Sequence, residues 1–73
     1  MEIHFSRHAK KQMRWRDISE GEVTSTLTHP ENTEPSIKGR KIALKHIGHK
    51  WVKVTFMEEH GKIIVITALD RKR

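Results

Sequence analysis

Ile18-Ser19-Glu20-Gly21-Glu22-Val23 is the stretch on which the fold of this chain turns. Ser19 and Glu22 have the spacing of a capping box, in which each side chain takes a hydrogen bond from the other's backbone N–H. Ile18 precedes the cap and Val23 stands at the fourth helical position, the spacing of a hydrophobic staple. Val23 and Leu27 continue one apolar face. Pro30 ends it, because the residue before a proline avoids the α region. The pattern predicts a helix over residues 20–29, with Glu20 and Glu22 at the positive end of its dipole.

Upstream, Ser6 is a second candidate N-cap. Ala9 and Met13 follow it four apart, on one helical face, while Arg7, Lys10, Lys11 and Arg14 point to other faces. This predicts a basic amphipathic helix over residues 6–16. Before it, residues 2–5 alternate as a short strand does.

Downstream the period changes from 3.6 to 2. Residues 32–39 are polar and read as a loop running into an edge strand. Ile42 and Leu44 alternate with Lys41, Ala43 and Lys45. After a turn at Gly48-His49, Val52, Val54 and Phe56 alternate with Trp51, Lys53 and Thr55. After a second turn at Glu59-His60-Gly61, residues 63–69 are apolar on both faces. The expected architecture is a single α+β domain spanning residues 1–73, of order β-α-α-β-β-β. Its two N-terminal helices pack on one face of a small antiparallel sheet. Ile42, Leu44, Val52, Val54 and Phe56 are expected to meet the helices. Lys41, Lys45, Trp51, Lys53 and Thr55 are expected on the opposite face, either as a platform for a phosphate backbone and a stacked base or as an ordinary solvated surface.

Composition narrows the function. The 73 residues include 15 Lys and Arg against 9 Asp and Glu, for a formal charge of +6, and no cysteine. Disulfides and thiolate-bound zinc are therefore excluded. No apolar run reaches the roughly 18 residues that span a bilayer. The start of the chain lacks the order of a signal peptide, so the expectation is a soluble cytoplasmic protein. The charge is segregated. Residues 7–16 and 38–53 carry cations and no acid, whereas residues 17–34 carry acids and no Lys or Arg. The chain closes on Arg71-Lys72-Arg73. Such concentration of like charge repels itself unless a polyanion shares the field, which points to nucleic acid.

Six histidines are present, none in the H-E-x-x-H pattern of a zinc site, and neither metal nor cofactor is expected. What the chain offers is His, Lys and Arg, for which phosphate is the natural substrate group. RNA brings its own nucleophile, the 2′-hydroxyl. Cleaving it then needs a base, an acid and cations to hold the charge that grows on the phosphate oxygens. His8 is the candidate base or acid, since imidazole ordinarily titrates near neutrality. Its alternative role is packing over the start of the second helix. Arg14 and Arg16 are candidate phosphate clamps, and Arg71 is placed with them in the candidate catalytic set. Arg7, Lys11, Lys41, Lys45, Trp51 and Lys53 are the candidate strand-binding residues.

Residues 5–23, F-S-R-H-A-K-K-Q-M-R-W-R-D-I-S-E-G-E-V, resemble the opening of the domain of unknown function 4258 family, whose pattern runs H-A-x-x-R-M-x-x-R-x-I-S-x-x-E-V and continues with L-x-x-P and a β-meander. His8, Ala9, Met13, Arg16, Ile18, Ser19, Glu22, Val23, Leu27 and Pro30 match it. Gly39 and Val65-Ile66-Thr67 fit its later part. Gln12 departs from the usual Arg and Asp17 from the usual Gly. That family in turn looks similar to the RelE/BrnT-like ribonuclease toxins of toxin–antitoxin modules. The resemblance implies a RelE-like fold, metal-free RNA cleavage at or away from the ribosome, and neutralisation by an acidic antitoxin. Two alternatives stay open. One is a non-catalytic nucleic-acid-binding module; the other is a basic interaction protein for an acidic protein partner.

Overall fold

A computed structural model describes residues 2–71 of the chain. The order is β1 (Glu2–Phe5), α1 (Arg7–Arg16), α2 (Glu20–Thr28), β2 (Asn32–Pro35), a 3₁₀ turn (Ile37–Gly39), β3 (Lys41–Ile47), β4 (Lys50–Glu59) and β5 (Lys62–Asp70). Both helices begin where the sequence places them. Ser6 caps α1 by accepting the Ala9 N–H at 3.0 Å. Ser19 and Glu22 complete the capping box of α2 at 2.9 and 3.1 Å. Between the helices Asp17 adopts a left-handed conformation (φ 55°), and the Ile18 N–H returns to the Met13 carbonyl. This is the αL ending that favours glycine.

The five strands form one sheet in the order β1-β5-β4-β3-β2. The sheet is mixed rather than antiparallel: β1 lies parallel to β5, while β2 through β5 pair antiparallel. Nothing local marks that parallel pair. It requires the chain to pass through both helices and three strands before its ends meet. The polar segment after α2 supplies a short edge strand, and Pro35 at its end lacks the N–H that would recruit a further strand. β4 and β5 join through Glu59-His60-Gly61-Lys62, with φ of 51° at His60 and 76° at Gly61, the two positive values of a type I′ hairpin turn.

One face of the sheet carries both helices. α1 lies on β5, and α2 on β4 and β3. Ala9, Met13, Ile18 and Val23 meet Val52, Val54, Val65 and Ala68 there, with Phe5 and Leu27 packed at the margin. Each fully buried valine contributes about 1.5–3 kcal/mol.

The register corrects the expected facing of β3. The two-residue turn at Gly48-His49 pairs Ile47 with Lys50, and hence Lys45 with Val52 and Ala43 with Val54. Directly opposed residues share a face. Val52 and Val54 face the helices, so Lys41, Ala43 and Lys45 do too. Ile42 and Leu44 lie on the open face, beside Thr55 and Lys53. Reading the larger aliphatics of β3 as inward-facing shifts the strand by one residue, which inverts every side chain. Leu44 is nevertheless fully buried.

Candidate nucleic-acid interface

β1 covers β5 only from Lys62 to Val65. Beyond that point α1 takes over the β5 edge. The Ser6 hydroxyl donates to the Ile66 carbonyl at 3.0 Å, and the Gln12 amide oxygen accepts the Ala68 N–H at 3.2 Å. These bonds satisfy groups that an open edge would leave exposed. They also explain a bulge. The β4–β5 register slips between Thr55 and Phe56, so Ile66 is skipped, and Ser6 takes its carbonyl.

Docking of α1 on this edge decides where its cations point. His8, Lys11, Gln12, Trp15 and Arg16 stand at i, i+3, i+4, i+7 and i+8, one helical stripe. They line a cleft of about 280 Å³. Among the described residues no carboxylate lines it. Trp15 is 79% exposed, although an indole is among the largest apolar side chains. Its position follows from Met13: two residues further on means about 200° round the helix, away from the core. The same arithmetic, applied to the sequence, finds Trp15, which the reading of charge alone passes over.

Arg7, Lys10 and Arg14 form a second stripe, on the order of 120° away. Arg14 lines separate hollows with Met13 and Ile18. His8 and Arg16 are therefore brought together, and Arg14 is not.

The remaining candidates are dispersed. Lys41 pairs with Glu58 at 3.1 Å. Lys45 donates to the Ser25 hydroxyl of α2 at 2.9 Å. Trp51 and Lys53 lie on the open face, across the sheet from α1. There Trp51 stacks on His46 with ring centroids 3.9 Å apart. The Glu31 carboxylate holds that histidine by its ring and its backbone N–H, both at 3.0 Å. The ring hydrogen bond, then the backbone one, draws the Glu31 pKa below its ordinary value. Arg71 reaches toward Glu34 at 4.0 Å, while Lys72 and Arg73 lie outside the described residues. Lys50 is structural. It donates to the Asp17 carbonyl and to both oxygens of Glu22, at 3.0 and 3.3 Å for the latter, tying the β3–β4 hairpin to the helix junction. Burial pushes the Glu22 carboxyl upward, but the Ser19 N–H and the Lys50 ammonium outweigh it, and its pKa ends below the ordinary value. Among the described residues no three His or carboxylate side chains gather as a metal site, and no helix is long and apolar enough to cross a membrane.

The architecture is thus a small α+β domain with two helices on one face of a mixed five-stranded sheet, and with a cleft on its first helix lined by His8, Lys11 and Arg16. The chain belongs to the family described as domain of unknown function DUF4258, whose model matches residues 5–70. No curated protein and no solved structure gives a match.

Proposed function

We propose that this domain acts on RNA as a toxin-like, metal-independent endoribonuclease whose site is the outer stripe of α1. The observation that carries the reading is the convergence of His8, Lys11 and Arg16 on a cleft lined by no acid. In the proposed step His8 takes the proton of the 2′-hydroxyl as the oxygen attacks the adjacent phosphorus. The bond to the 5′-oxygen breaks, solvent protonates that oxygen, and the products are a 2′,3′-cyclic phosphate and a 5′-hydroxyl. Arg16 and Lys11 hold the charge on the non-bridging oxygens. The resemblance to RelE/BrnT-like toxins supports the same chemistry and adds an acidic antitoxin as partner, by analogy of fold.

A second reading has its own support. Arg14 lies on another flank of α1, and Arg71 reaches toward Glu34. Only one of the three candidate arginines therefore stands with His8. The His8 ring has no hydrogen-bond or ion-pair partner among the described residues to orient it. A module that binds RNA without cutting it needs neither feature. Induced expression in a bacterial host separates the two. The nuclease reading predicts growth arrest that His8→Ala relieves. Unimpaired growth on expression of the folded wild-type protein contradicts it.

A further inference from the structure

We infer that Trp15 is a base-stacking residue, and that the α1 cleft therefore takes unpaired RNA in preference to duplex. The inference rests on the RNA-directed reading of that cleft and adds the form of RNA it accepts. Trp15 is 79% exposed, and among the described residues Ile37 is the one other large apolar side chain left exposed. Among the described residues it makes no ring stack, in contrast to Trp51 on His46. Its hydrophobic surface thus contributes nothing to the core, and it stands one turn from Lys11 and beside Arg16 in the same cleft. Cations on a backbone track with an aromatic plane between them are the two elements by which single strands are held. Phosphates meet the charges, and a base lies on the ring. A duplex keeps its base faces inside its own stack, so it can use the cations but not the indole. A lipid surface fits less well. The apolar side of α1, Ala9 and Met13, is spent on the core, leaving one aromatic on the outer stripe where an interfacial helix needs an apolar face.

The test is titration of the full chain, followed by indole fluorescence and by competition binding, with three probes. These are an unstructured twelve-nucleotide RNA, a blunt-ended, fully paired RNA duplex, and vesicles containing phosphatidylserine. The expected result is tighter binding of the unpaired RNA with quenching of emission. The quench disappears in Trp15→Phe, whose only remaining indole is Trp51. Trp15→Ala weakens binding of the unpaired RNA on the order of tenfold, leaves that of the duplex unchanged, and is rescued by Trp15→Phe. Equal losses for both RNAs, or no loss for either, overturn the stacking role while leaving RNA binding in place. Binding of neither RNA by the wild type overturns this inference together with the function it rests on. Preference for the vesicles assigns Trp15 to a membrane surface and overturns it as well.

Discussion

The Gln12 amide oxygen accepts the backbone N–H of Ala68 at 3.2 Å, across the half of the β5 edge that β1 does not reach. A side chain on the stripe proposed to meet RNA is thereby also a fastening of the helix to the sheet. Its two roles separate by substitution. Gln12→Leu leaves the Ala68 N–H unpaired and is expected to cost about 1–3 kcal/mol in urea unfolding. Gln12→Glu keeps the acceptor, so stability stays within about 1 kcal/mol of wild type, while a negative charge enters the cleft and RNA binding weakens. Loss of affinity in Gln12→Glu no greater than in a distant surface variant would contradict the placement of the site.

Asp17 holds a left-handed conformation at φ 55°, the region that favours glycine. Its contact with Lys50 is made by its backbone carbonyl, which glycine keeps. Asp17→Gly is therefore expected to stabilise the domain by roughly 0.5–1 kcal/mol, read as a higher urea midpoint. Asp17→Val is expected to lower it.

The Glu22–Lys50 contact gives stability a pH dependence. Glu22 has its folded pKa lowered from 4.5. The stabilisation is thus fully present above that value and is lost as pH falls through the lower, folded one. Glu31 acts in the same direction. The urea midpoint is expected to drop between about pH 5 and pH 3, with part of that drop absent in Glu22→Gln. A profile unchanged by the substitution would remove the pair as its source.

Charge placement predicts a different response from each lysine. Lys11 lines the cleft, whereas Lys45 is turned toward Ser25 beneath α2. Lys11→Ala is expected to reduce the slope of log affinity against log salt by about 1, and Lys45→Ala by much less. Equal reductions would place the strand along the sheet instead.

The features of the fold that the sequence reveals are those governed by neighbours. Ser6 and the Ser19–Glu22 box announce both helices, because a cap is a matter of three or four residues. The β1–β5 pairing is hidden because it joins residues some sixty apart and gains only in the folded chain. The inversion of β3 lies between these cases. Ile42 and Leu44 look like core residues, yet the two-residue turn at Gly48-His49 already places Lys45 opposite Val52. Turn length is the stronger constraint on facing, since one residue of slip inverts a strand. It also separates Lys45 from Trp51 and Lys53, which charge patterning alone would gather on one surface. Trp15 is legible through helical geometry rather than composition.

Incubating end-labelled single-stranded RNA with purified protein in EDTA, and resolving the fragments and their termini, shows whether the domain cuts RNA. Cleavage by the wild type to 2′,3′-cyclic phosphate ends, slowed at least about tenfold in folded His8→Ala, is the expected outcome. RNA that stays intact after prolonged incubation, with and without ribosomes, or cleavage that His8→Ala leaves undiminished, would contradict it.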